Sequence, residues 1–148
     1  MAVAVAKENR ILDTLMSALA LIGTSVNWNI QSLALMEGIP SDTISPADTP
    51  AIYVALSSTE IDPQSTGNRH SWRSRYSMYL CAVDLRTVNN LKADVLRALY
   101  QSEAMFTATH EQPMFPESYS VRTELTDAGI FVGQVTAFID YSTSHTDP

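Results

Sequence analysis

The stretch GIFVGQVTAFIDYS, residues 129–142, constrains this chain more than any other. Its residues alternate, as a strand requires, but both faces carry apolar side chains. Phe131, Val135, Ala137, Ile139 and Tyr141 lie on one side with only Gly133 among them. On the other side Ile130, Val132 and Phe138 are interrupted by Gln134, Thr136 and Asp140. The first side is a core face to be covered by helices. The second is too apolar for open water and too polar for a core. Either a partner subunit covers it, or a twisted sheet does so with a loop of its own chain.

A strand of this kind needs neighbours, and the chain supplies them. From Trp72, one face carries Trp72, Ser74, Tyr76, Met78, Leu80 and Ala82, and the other Arg73, Arg75, Ser77, Tyr79, Cys81 and Val83. The alternation predicts a strand that enters the sheet interior at its C-terminal end and projects at its arginine-rich start. Residues 51–56 (AIYVAL) form a shorter buried run. Tyr119, Val121, Thr123 and Leu125 alternate with polar residues, and Asp127-Ala128-Gly129 is a tight turn into the final strand. Val26, Trp28 and Ile30 alternate with Asn27, Asn29 and Gln31, which reads as a half-buried strand.

Two segments change the period to that of a helix. Residues 7–22 place Ile11, Leu12, Leu15, Met16, Leu19 and Ile22 on one stripe, with Gly23 as the stop. Residues 87–100 place Val88, Leu91, Val95, Ala98 and Leu99 on another, with Thr87 as the cap. Residues 37–50, 57–71 and 101–118 hold proline or lack periodicity and read as loops. Residues 142–148 read as a flexible polar tail. The expected fold is therefore α/β (α+β): a single domain over 1–148, a mixed or antiparallel β-sheet, two main helices packed on one face and a C-terminal β-hairpin. At 148 residues, one core burying about 70 % of the unfolded surface suffices.

Chemistry is thin along the chain. The lone Cys81 excludes an internal disulfide framework and a CxxC metal site, and mid-strand it reads as an inert thiol in a reducing compartment. His70, His110 and His145 stand in expected loops or the tail, without metal-ligand spacing. No nucleophile elbow, phosphate-cradling loop or dinucleotide fingerprint is present, and Glu60 with Asp62 is weak ground for an acid–base pair. No catalytic, cofactor-binding or metal residues are assigned, and no cofactor is expected. Lys7, Glu8, Arg10 and Asp13 cancel ahead of the apolar 15–22 run, against a signal peptide, and no run nears a membrane span. A soluble cytoplasmic protein without membrane contact is the expectation.

The net charge of −7 argues against general nucleic-acid binding. Residues 69–97 nevertheless hold six of the nine basic residues and only two acids, Asp84 and Asp94. The run from Arg69 to Tyr76 mixes basic and aromatic residues, a composition found in single-strand binders. The overall acidity favours another use: Arg69, Arg73 and Arg75 meet carboxylates, on the same chain or on a neighbour. Glu60 and Asp62 are candidate partners in a subunit interface, with Gln134, Thr136 and Phe138 of the mixed face.

Three stretches carry a family resemblance: PAIYVAL at 50–56 followed by Glu60, RSRYSMYLCAVDL at 73–85 running into LKADVLRAL at 91–99, and DAGIFVGQVTAFIDYST at 127–143. In this order they resemble the tail terminator (tail completion) proteins of tailed bacteriophages, the family of the lambda minor tail protein U. The resemblance covers nearly the whole chain as a pattern of elements. The proline-rich 37–50 is longer than the family pattern. The resemblance implies a structural virion protein and no enzyme. Such a subunit forms a homo-oligomeric, usually hexameric ring on the last ring of tail tube protein. The ring stops polymerisation and offers the surface that joins the head connector, and DNA passes through it without specific binding. Assembly would take place in the host cytoplasm and the product would sit in the virion tail or neck. Acidic residues would line the channel, and loops 37–50 and 57–71 would dock onto tube or connector. Another neck protein (head completion or connector adaptor) is the nearest alternative. A small single-stranded nucleic-acid-binding module using residues 69–79 is the alternative of a different class.

Overall fold

The computed structural model describes residues 6–41, 44–61, 67, 69–122, 126, 129–144 and 147–148. Its elements run α1 (Lys7–Leu19), β1 (Ala34–Glu37), a 3-10 turn (Pro46–Asp48), β2 (Ala51–Ile61), β3 (Arg69–Ala82), α2 (Leu85–Gln101), α3 (Glu103–His110), β4 (Phe115–Val121) and β5 (Phe131–Ser144). The strands form one mixed five-stranded sheet in the order β1-β2-β3-β5-β4. β1 is parallel to β2, and the other pairs are antiparallel. This is the single-domain α+β fold expected, with α1 and α2 on one face and β4–β5 as the closing hairpin.

β5 is interior to the sheet, paired with β3 along its whole length and with β4 over its first half. Both its faces are apolar because the helices cover one and a smaller cluster covers part of the other. Its Val135, Ala137, Ile139 and Tyr141 join Tyr76, Met78, Leu80 and Ala82 of β3 beneath the helices. Ile11, Leu15 and Leu19 of α1 and Val88, Leu91 and Val95 of α2 cover them. Each fully buried Leu or Ile here is worth about 1.5–3 kcal/mol of transfer free energy. Gly133 lets α2 come close, since a Cβ there would lie 2.7 Å from Val88 Cγ1. On the opposite face a smaller cluster of Ala51, Cys81, Ile130 and Val132 is flanked by Ala34, Ile44, Tyr53 and Tyr79. Part of that face is thus covered by the chain itself.

Several expectations are corrected. Residues 26–30 are not a strand but a run of turns. Trp28 and Ile30 are buried, as the alternation suggests, but α2 takes the place of a neighbouring strand. The buried Asp94 carboxylate accepts the N–H groups of Asn29 (3.1 Å) and Ile30 (2.8 Å), plus Asn29 Nδ2 (3.1 Å). Arg97 donates to the Asn27 carbonyl at 2.6 Å and lies 4.7 Å from the Trp28 ring centroid. Gly23, at φ 84°, turns the chain into this segment, and a Cβ there would sit 2.7 Å from the Gln31 carbonyl oxygen.

The edge strand is instead β1, four residues just before the loop expected at 37–50. Within that loop Ser45 and Asp48 close a capping box around the 3-10 turn. The loop expected at 57–71 is shortened from both sides, because β2 continues to Ile61 and β3 starts at Arg69. The cap of α2 is Asp84, whose carboxylate accepts the Thr87 N–H at 2.7 Å, rather than Thr87 itself. The loop expected at 101–118 contains α3, anchored by the buried Phe106, and the start of β4. Pro116 is tolerated because β4 is an edge strand with a register shift at that point. The expected strand residues 123–125 and turn residues 127–128 lie outside the described residues. Gly129 does take the positive φ expected of it, 81°. Where a flexible tail was expected, Ser142–Ser144 continue β5, Lys7 donates to the Ser142 carbonyl, and Asp147 pairs with Lys7 (2.9 Å) and Arg10 (2.7 Å).

Candidate functional site

β2 and β3 outrun β1, and β5 outruns β4, so the far ends of β2, β3 and β5 project as a three-stranded arm. Most of the sequence-predicted interface residues meet on its open face, away from the helices. The register places Glu60 beside Arg73 and Arg73 beside Asp140. Arg73 grips Asp140 with two bonds, Nε to Oδ1 at 2.8 Å and Nη2 to Oδ2 at 3.0 Å. Its guanidinium lies 4.2 Å from the centroid of Phe138, which in turn meets Phe115 of β4 at 5.6 Å.

Arg75 reaches both ways. It meets Glu60 of β2 at 2.9 Å and, across β5, Glu117 of β4 at 3.0 Å. The hydrogen bond to Asp140 raises the Arg73 pKa, and those to Glu117 and then Glu60 raise that of Arg75. Arg73 is 42 % and Arg75 23 % exposed at the side chain, within reach of water, so these pairs set side-chain geometry more than stability. Further along, Gln134 Nε2 donates to Ser77 Oγ at 3.0 Å, and Thr136 stands opposite Ser77. Arg69 is apart from this ladder: it bonds Ser142 Oγ at 3.1 Å near the arm's tip. Asp62 lies outside the described residues.

The structure thus brings Glu60, Arg73, Arg75 and Phe138 together within one subunit, with Gln134 and Thr136 further along the same face. Sequence reasoning missed Glu117 and Phe115, which belong to a stretch read as loop, and the role of Asp140. The signal for Asp140 was there: it is the lone charge on the mixed face of the last strand.

The helix-facing side of the same arm carries a hydroxyl chain. Thr59 Oγ1 lies 3.0 Å from Ser74 Oγ, and Ser74 Oγ lies 2.7 Å from the Tyr141 hydroxyl. Tyr141 donates to Glu8 Oε1 at 2.6 Å, and Tyr76 donates to the Glu8 carbonyl at 2.8 Å. Burial, then the bond to Glu8, pushes the Tyr141 phenol far above its ordinary pKa; burial does the same to Tyr76. Neither phenol ionises near neutrality, so the chain is a fixed strut between α1 and the arm.

No reactive set assembles among the described residues. Burial raises the Cys81 thiol to about 11, which leaves it protonated. His110 sits 2.8 Å from Thr14 Oγ1; burial, then Arg10 and Lys7, lowers its pKa. Among the described residues no cluster of three or more His, Cys, Asp or Glu side chains could hold a metal, and no helix is long and apolar enough to cross a membrane. His145 lies outside the described residues.

No family model matches this chain, and no curated protein matches it. Among solved structures, it is similar to a chain of the virion of the native gene transfer agent (GTA) particle. That likeness covers 83 % of this chain and 81 % of that one, with a TM-score of 0.47 and 11 % identity.

Proposed function

We propose that this chain is a structural protein of a phage virion. In this reading it forms a ring, of six copies by the family pattern, at the head-proximal end of the tail. The ring ends tube polymerisation and presents the surface that joins the tail to the head connector. The three stretches that resemble tail terminators fold as β2, as β3 with α2, and as β5. The observation that carries the reading is the open face of the arm: two phenylalanines, Phe115 and Phe138, tilted against each other at 5.6 Å, beside arginines that already pair with carboxylates. Such a surface offers shape and charge pattern to another folded protein and no group to a reaction. Against the single-strand alternative, Glu60, Glu117 and Asp140 stand among Arg73 and Arg75, so the face is not a continuous basic track for a phosphate backbone.

A neighbouring subunit then packs on Phe138, Thr136 and Gln134, with the Glu60, Arg73 and Arg75 ladder at its rim. The first test is native mass spectrometry of the full chain, alone and with the tail tube protein. A six-copy species, alone or on adding tube protein, supports the reading. A chain that binds portal but never tube protein makes it a different neck component. A chain that stays single with either partner and shifts labelled single-stranded DNA in a salt-sensitive way overturns the reading in favour of the nucleic-acid module.

A further inference from the structure

A sheet that grows an arm exposes strand edges, and proteins blunt such edges to avoid unplanned pairing. Most of the edges here are blunted. β1 is only four residues long. β4 carries Pro116, a register shift and Glu117. Beyond β4, the edge of β5 is occupied by its own chain: Lys7 takes the Ser142 carbonyl, and Ser144 exchanges both backbone bonds with Asp147, at 3.0 and 3.2 Å. The exception is β2 beyond Val54, where β1 stops. Residues 55–61 meet no outer strand among the described residues. They contain neither lysine nor proline. Two apolar side chains stand exposed along them, Leu56 at 43 % and Ile61 at 49 %.

We infer that this edge is closed by the same edge of a second copy, in an antiparallel pair centred on Thr59. The pattern is self-complementary about that residue. Leu56, Thr59 and Ile61 share the helix-side face, opposite Tyr76, Ser74 and Trp72 of β3. Ser58 and Glu60 share the open face, opposite Arg75 and Arg73. The register shift between Leu56 and Ser58 leaves Ser57 as the extra residue. With Thr59 facing Thr59 of the partner subunit, Ser58 faces Glu60 of the partner subunit, and Leu56 faces Ile61 of the partner subunit. Every cross-strand pair then joins like faces, as antiparallel geometry demands. The four exposed apolar side chains meet as two pairs, and a Thr–Thr pair sits on the axis. Each Glu60 remains neutralised by Arg75 of its own chain. A foreign strand could match one half of this pattern; the same strand reversed matches all of it.

The contact is isologous and closes after two copies, so it is distinct from the head-to-tail contact that builds a ring. It does not depend on the ring reading. The test is oxidative cross-linking of the full chain. Leu56→Cys with Ile61→Cys in one chain is expected to give a covalent dimer under mild oxidation, because residues facing across a ladder are within disulfide reach. Each single variant alone is expected to stay uncross-linked, while a mixture of the two singles gives the dimer. Cys81 is fully buried and does not compete. Leu56→Lys, at an exposed site, is expected to reduce a two-copy species in light scattering to single chains with an unchanged circular dichroism spectrum. A double variant that cross-links no better than the singles overturns the inference, as do singles that cross-link as well as the double. A failure to see six copies with tube protein sinks the ring reading and leaves this result standing.

Discussion

The two sides of the arm are built from alternate residues of the same three strands, yet they are held by different physics. Toward the helices, Thr59, Ser74 and Tyr141 hand hydrogen bonds inward to Glu8, with Ser74 fully buried. Away from them, Glu60, Arg73, Arg75, Glu117 and Asp140 pair in solvent. Hydrogen bonds made at buried groups such as Ser74 are costly to break, because the orphaned partner cannot return to water. Exposed ion pairs are cheap to break, because water and salt replace them. One side therefore fixes where the arm points, and the other is free to be rearranged by a partner.

Variants can break this contrast, in descending order of effect. Asp94→Ala, within the helical layer, strips the acceptor from the Ile30 and Asn29 N–H groups. It is expected to lower stability by about 3 kcal/mol in urea titration, since each bond to a carboxylate counts for about 1.5–3 kcal/mol. Gly133→Ala forces Val88 away from β5 and should lose about 1–3 kcal/mol by the same measurement. Tyr141→Phe removes the hydroxyl between Ser74 and Glu8, for a loss of about 1–2 kcal/mol. Arg73→Gln, on the open side, should leave the unfolding midpoint unchanged and, if the proposed function holds, weaken association with tube protein. If Arg73→Gln destabilises the isolated subunit as much as Tyr141→Phe does, the contrast is wrong.

A pH titration sharpens it further. The lowered pKa of His110 means that the folded state favours the neutral ring. Its contribution is fully present above the ordinary histidine value of about 6.5 and is lost as pH falls through the lower folded value. His110→Gln should flatten the acid side of the stability profile below about pH 6.5. Asp147, held below the usual carboxylate range by Arg10 and then Lys7, loses its contribution only at more acidic pH.

What could be read from the residues followed from how long each pattern was and how many faces it showed. β3 and β5 were legible because alternation persists over more than ten residues and is apolar on both sides where both faces of the sheet are covered. β1 was not, because four residues at an edge hold too little pattern. α3 was hidden between Ser102 and Pro113, and its single buried anchor, Phe106, makes no stripe. The false strand at 26–30 teaches most. Its alternation is real, but Asp94 within the apolar stripe of α2 marked a carboxylate in search of buried donors. The arm's ladder was half visible: the arginines announced themselves, whereas Glu117 became a partner only once β4 existed.

The place of β5 in the sheet sets a schedule. Among the described residues β4 is hydrogen-bonded into the sheet through β5 alone, and β3 gains its second neighbour only when β5 arrives. The residues that pair across β3 and β5 are separated by roughly 50 to 75 positions of chain, so a large loop must close before β3, already paired with β2, gains its second neighbour. The second edge of β3 is therefore made well before its partner β5, whereas β4 closes with β5 as a local hairpin. In that interval the second edge of the arginine-rich strand is bare, and the speed of closure bears on how much of the chain escapes unplanned pairing.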